Sequence, residues 1–277
     1  MSLFLAVVAA ILLGSSDFCG ARASRQAPSI SVTRTAVIVS VVLAPFLLLI
    51  GHSAWVLHDV LLAAGAGVMM MSGLALLYRG YSVAPMGIVG PTTSVLIALV
   101  PLMYDVAQGL RPGPWAWVGI ALGLCALVLT SYSPGGTGSV RIGAMLGIVA
   151  GLCFGIAFTL LAQEPDRAGL MPVLMQRASG FTFLCLLQPF VDRQPLLVVR
   201  EPGLKWAVFT GLFAWGAMGS LQLAFQKGSA GPVSVVTSQF ASVAVLLSVV
   251  FNSERLRRYQ WVGVAASAVG VALMSAG

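Results

Sequence analysis

The chain has 277 residues, 58% of them hydrophobic and 8% charged, with a net charge of +7 and a mean hydropathy of +0.97. Soluble domains carry about 25% charged residues, so water is excluded as the solvent for most of this chain and lipid takes its place. The basic residues fall singly or in threes between apolar stretches and form no stripe, which argues for lipid headgroups as their partner and against nucleic acid.

A helix crossing a bilayer needs about 20 apolar residues. Ten stretches are read as spans, approximately 3–22, 31–51, 57–78, 84–105, 115–132, 142–162, 171–191, 205–225, 232–252 and 259–276. They are continuously apolar, where barrel strands would alternate. The expected class is therefore all-α integral membrane, multi-pass, in the plasma membrane. The first stretch has no basic residue before Arg22, so it is expected to be retained as a helix and not removed as a leader. Cys19, Cys125, Cys153 and Cys185 lie inside apolar stretches without a CxxC pair and read as small packing residues. No metal or other cofactor is expected.

The stretches repeat. "LALLYRGYSVAP" (74–85) aligns without a gap with "LQLAFQKGSAGP" (221–232), and "WVGIALGLCALVL" (117–129) with "WVGVAASAVGVAL" (261–273). "AVVAAILLG" (6–14) matches "GIVAGLCFG" (147–155), and "SVTRTA" (31–36) matches "LMQRAS" (174–179), which pairs Arg34 with Arg177. Residues 1–135 and 136–277 are thus expected to be two five-helix units. Five is odd, so the second unit enters the membrane inverted, a plan that suits alternating access between two halves. Connections between spans 1–2, 3–4, 5–6, 7–8 and 9–10 carry Arg22, Arg25, Arg34, Arg79, Arg141, Arg193, Arg200, Lys205, Arg255, Arg257 and Arg258; the opposite side has Arg111, Arg167, Arg177 and Lys227. The positive-inside rule puts the richer side in the cytoplasm.

Glycine recurs every fourth residue in "GAMLGIVAGLCFG" (143–155). In water each glycine would cost a helix about 1 kcal/mol relative to alanine. In lipid the stripe Gly143, Gly147, Gly151, Gly155 becomes a groove that seats a neighbouring helix.

These features resemble the EamA branch of the drug/metabolite transporter superfamily: ten spans in a five-plus-five repeat, an arginine near the start of spans two and seven, and "SVAP" and "SAGP" opening spans four and nine. "LGSSDF" is similar to that family's first-helix Gly-Ser motif, and Glu254 before the last span is similar to its ending. The resemblance implies a secondary transporter of small organic metabolites or drugs, often an exporter. Its cavity would be walled by spans 1, 3, 4, 6, 8 and 9, with spans 5 and 10 packing the halves together. Coupling would be to a proton or to the solute's own gradient.

The candidate site residues are few. Asp17 is the one carboxylate expected inside the apolar layer, a site for a proton or a cationic solute, with pairing to Arg22 as the structural alternative. Arg34 and Arg177 are candidates for gating or for anchoring at the headgroups. Trp215, Met218, Gln222 and Gln226 share one face of span 8, and Trp215 and Gln222 are read as cavity residues. Thr92 and Thr93 follow Pro91 in span 4, answered by Thr237, Ser238, Gln239 and Ser242 in span 9. These hydroxyls either satisfy backbone groups freed by the proline or contact solute, as does Gln239. Tyr78, beside Met69–Met71, completes the set. The expected partners are a small-molecule solute and the bilayer, the protein being a monomer or homodimer. The alternative is an integral membrane enzyme acting on a lipid or lipid-linked substrate. It lacks its chemistry here, with only His52 and His58 as histidines and no HExxH or phosphate loop.

Overall fold

The computed structural model describes residues 1–24, 26–27, 29–50, 53–84, 86–131, 139–191, 203–252 and 258–276. All regular structure among them is helical: α1 (Ser2–Ser24), α2 (Ser29–Leu43), α3 (Leu57–Val83), α4 (Met86–Ala107), α5 (Pro114–Ser131), α6 (Val140–Ala162), α7 (Met171–Val191), α8 (Leu204–Gln226), α9 (Ala230–Thr237), α10 (Phe240–Asn252) and α11 (Arg258–Ala276). A 3-10 stretch, Ala44–Ile50, extends α2, and a single 3-10 turn, Asp166–Ala168, joins α6 to α7. Among the described residues, five segments are long and apolar enough to cross a membrane: Ser2–Ala23, Ser31–Leu49, Leu57–Leu77, Arg141–Ala162 and Leu204–Gln226. Glu254 and most of the expected connections "SPGGTGS", "REPG" and "NSERLRR" lie outside the described residues.

The helix ends follow local chemistry. Ser139 caps α6 by accepting from the Ile142 N–H, and α3 stops at Ala84, which is extended because a proline follows. Asp105, at the end of α4, caps α9 from outside: its carboxylate accepts from the Gly231 N–H at 2.6 Å. The expected span 84–105 is one unbroken helix through Pro91. The expected span 232–252 is instead divided at Ser238–Gln239.

Packing is paired. α1 lies along α8 and α6 along α3; α2 crosses α8 and α7 crosses α3; α5 pairs with α11. Small residues set these distances. A Cβ on Gly151 would come 2.7 Å from the Leu96 Cβ and one on Gly155 2.6 Å from the Val100 Cβ, so α4 lies in the glycine groove of α6. Gly14 on α1 meets Val243 on α10 in the same way, and Gly211 on α8 meets the Ala36 carbonyl on α2. Apolar side chains gain little by leaving lipid tails, so this close van der Waals fit is what holds the helices together.

The two ends of the bundle differ. At one end meet the start of α1, the end of α8, the end of α4 and the start of α9. The end of α6 and the starts of α3 and α7 join them. The main core fills this end, with Ala6, Ala9, Phe158, Leu161, Leu221, Phe225, Val233 and Val236 buried together and Phe158 edge-on to Phe225 at 5.8 Å. At the other end, where α1 finishes and α8 begins, the described cluster is Ala23, Val32 and Ala207.

Candidate functional site

The site is built on the inner face of α1. Phe4 and Ile11 mark its outward face, 69% and 49% exposed. Two contact stripes flank the opposite face. Ser16 donates to the Thr210 carbonyl of α8 at 3.0 Å, with Gly20 against the same residue. On the other flank Gly14 touches Phe240 and Val243 of α10, and Phe18 meets Phe251 with ring centroids 5.6 Å apart. At about 100° per residue, Asp17 falls between those stripes, in line with Ala6 and Ala10. Those two alanines are buried, whereas Asp17 and Ala21 are exposed. Asp17 thus stands exposed on a face of α1 whose two flanks are packed against α8 and α10.

Asp17 has no hydrogen-bond or ion-pair partner among the described residues. The expected alternative of pairing with Arg22 is not what the structure has: the Arg22 guanidinium stacks over the Trp206 ring, 4.6 Å from its centroid. An unpaired carboxylate inside a membrane protein is costly and marks a functional candidate.

Two further polar side chains lie beside α1 nearer Leu12 and Gly14 than Asp17. Trp215 is half-buried on α8, next to Gly216, which faces Leu12. Its indole N–H is buried without an acceptor. Gln239 sits at the break between α9 and α10, beside Phe240. Its amide nitrogen donates to the Gly123 carbonyl of α5 and the Val235 carbonyl, each at 3.2 Å, and its Oε1 has no partner. The Ser238 hydroxyl also donates to Val235, at 2.9 Å. Competition for carbonyls by local side chains interrupts a helix, which accounts for a break where there is no proline. The Ser234 and Thr237 hydroxyls beside it are buried and unpartnered.

Other candidates lie elsewhere. Gln222 is 1% exposed and donates to the Leu161 carbonyl of α6 at 3.3 Å, near the filled end. Thr93 donates to Val89 at 2.8 Å and across the seam to Gly147 at 3.1 Å, so it ties α4 to α6; Thr92 is half-buried against that same glycine. Arg177 is buried on α7 and donates to the Ala214 carbonyl of α8 at 3.2 Å, leaving its Nε unpartnered. Arg34 is equally buried on α2. Tyr78 is on α3, and its side chain lies outside the described residues.

Three buried polar groups carry no signal of burial in the sequence. Gln176, 1% exposed, has no partner for either amide atom; Ser234 and Glu164 are the others. Glu164 reads as a connection residue because Pro165 follows it. Nothing in that spacing shows that the turn folds back under α8.

The profile of the EamA-like transporter family matches residues 141–276. A UPF0060 membrane protein of Acidovorax sp. (strain JS42) is 30% identical over 86 residues, which is 31% of this chain and 72% of that relative. A UPF0060 membrane protein of Acidovorax ebreus (strain TPSY) is 29% identical over 86 residues, with the same coverage. A solved crystal structure superposes with a TM-score of 0.77 at 16% identity, covering 99% of this chain and 98% of its own; at that identity the likeness is one of fold.

Proposed function

The chain belongs to the EamA-like transporter family, and from that premise we propose that it is a secondary transporter of small organic solutes that carry a positive charge, acting as an exporter in the plasma membrane. The observation that carries this reading is Asp17, an exposed carboxylate on α1 with no partner among the described residues, on a face flanked by α8 and α10. It would hold an ammonium group, with Trp215 and Gln239, nearer Leu12 and Gly14, to orient the rest of the solute. Gln222, Thr92, Thr93 and Tyr78 would complete the path, and Arg34 and Arg177 would hold α2 and α7 during gating. Membership of a transporter family does not favour the lipid-enzyme alternative.

Alternating access would come from two inverted five-helix units. The paired packing supports this: Gly67 of α3 meets Ser179 of α7 as Gly211 of α8 meets Ala36 of α2, at corresponding places of the two halves. The filled end and the open Asp17 then describe one inward-facing state, given the basic residues on the α1 C-terminal side.

Reconstitution into liposomes tests the proposal. Efflux or uptake is measured for a panel of radiolabelled amines, amino acids, sugars and drugs, with and without a pH gradient. At least one cationic solute is expected to move, and Asp17→Asn to slow it at least about tenfold, the loss of one charge-assisted contact of about 1.5–3 kcal/mol. No movement of any solute under any gradient overturns the transport reading. Movement of a cationic solute at an unchanged rate in Asp17→Asn removes Asp17 from the site.

A further inference from the structure

The filled end of the bundle contains a joint that packing alone does not require. Glu164 follows α6 and is 3% exposed, yet neither of its carboxylate oxygens makes a well-formed hydrogen bond. Asp59, on the first turn of α3, is 1% exposed and lies 3.5 Å from the Arg167 guanidinium, with the His58 Nδ1 at 3.4 Å. Two carboxylates are therefore enclosed at this joint, and the one guanidinium beside them, that of the exposed Arg167, reaches Asp59.

Neutral amides close the joint from α8. The Gln226 side chain donates to the Gly169 carbonyl at 2.8 Å and to Pro165 at 3.4 Å. Gln222 donates to Leu161, the same carbonyl that the Glu164 N–H reaches at 3.3 Å, and its Oε1 is buried and unfilled beside that carbonyl. The turn is further tied to α3's approach by the Ala54 N–H on the Arg167 carbonyl at 2.8 Å and the Leu170 N–H on the Ser53 hydroxyl at 3.2 Å. Asp59 and His58 belong to α3, Asp166 and Arg167 to the turn, and Lys227 to the cap of α8. The nearest titratable group on α7 is Arg177, about two turns inside the helix.

We infer that Glu164 is a proton-binding site that latches the α6–α7 turn against α3 and α8. With the proton bound, Glu164 sits in the joint as a neutral acid and leaves Arg167 to Asp59. With the proton released to water at this end, a second enclosed negative charge stands beside Asp59, and the joint relieves it by opening. The inference rests on the transport reading for its purpose, since it names the proton as the ligand that works the closed end.

Burial, and then the Asp59 charge, push the Glu164 carboxyl up from 4.5 to about 8; the nearby Ala63 N–H and Arg167 oppose that rise. The closed joint therefore holds the proton more tightly than an open, hydrated one. Its advantage is present in full below about pH 4.5, falls as pH rises through the interval up to about 8, and is constant above. For one proton the closed-to-open ratio falls about tenfold per pH unit within that interval.

Hydrogen exchange tests this on the full chain in lipid nanodiscs, with no solute present. Exchange of the 163–170 segment is followed from pH 5 to 9 and corrected for intrinsic rate with an unstructured peptide. The expected result is an opening constant that rises by up to about tenfold per unit and levels off near pH 8. Glu164→Gln should be flat and protected throughout, and Asp59→Asn should move the levelling point to lower pH. A wild-type profile as flat as that of Glu164→Gln, or a Glu164→Gln profile that rises like wild type, overturns the latch. If Glu164→Gln does not fold, the comparison with Asp59→Asn decides, and identical profiles overturn it. Solute flux plays no part in this measurement, so a failed latch leaves the transport reading standing, and a failed flux assay leaves the latch standing.

Discussion

α4 and the α9–α10 pair each follow one of the two matching stretches 74–85 and 221–232, yet one is unbroken and the other is interrupted. The proline falls on the unexpected side. Pro91 lies inside unbroken α4, while α9 ends at Thr237 without a proline at that point. Two physical differences account for this. α4 is seated along the whole groove of Gly143, Gly147, Gly151 and Gly155, and the Thr93 hydroxyl stitches it to that groove. Against α10 the partner α1 offers a single such glycine, Gly14, and the bulky Phe18 against Phe251. At the break itself, Ser238 and Gln239 give their side-chain donors to Val235, a carbonyl that a continuous helix would use. Helix continuity here is decided by the neighbour's surface and by competing side-chain donors, and a missing N–H can be tolerated where the groove holds the chain.

The largest expected effect comes from breaking the straight side. Gly151→Leu would drive its Cβ to within 2.7 Å of the Leu96 Cβ and 2.9 Å of the Thr93 carbonyl. Overpacking of this kind costs about 1–3 kcal/mol or more, so the melting temperature in detergent should fall by about 2–12 °C or more. A variant that melts like wild type would show that α4 does not depend on the groove.

A middle-sized effect should come from making the interrupted side resemble the straight one. Gln239→Thr places at the break the residue type that α4 has in Thr92, and it removes the amide from Val235 and Gly123. The amides of residues 240–243 should then exchange about tenfold more slowly, one helical hydrogen bond of about 1 kcal/mol being regained. Faster exchange would mean that the Gln239 amide supports the break and does not cause it.

The smallest effect serves as a control away from both helices. Trp206→Leu removes the ring under Arg22, a contact of about 0.5–1 kcal/mol. A fall in melting temperature of about 1–3 °C is expected. A larger fall would indicate that Arg22 had turned towards Asp17.

The helices, their lipid solvent and the glycine groove were legible in the sequence, because long apolar runs and fourfold glycine spacing state their physics locally. Asp17 was legible for the same reason: the carboxylate in "LGSSDF" stands alone in an apolar run, where an ionised group is costly. The break at Ser238–Gln239 was not. Its cause is which carbonyl a side chain reaches, and the proline rule pointed to the other half. Glu164 was also hidden, because its burial depends on Gln226, Gln222 and α3, which approach from distant parts of the chain. Arg177 reads as a candidate headgroup contact from its nearness to a span end, but it lies buried and donates to the Ala214 carbonyl of α8.

The α5–α11 pair has a mechanical consequence. A Cβ on Gly119 would stand 2.7 Å from the Gly270 carbonyl, and one on Gly270 would stand 2.9 Å from the Gly119 carbonyl. The two backbones therefore touch at these glycines, with the Met274 side chain beside Gly119, so a side chain larger than hydrogen at either glycine would push the helices apart.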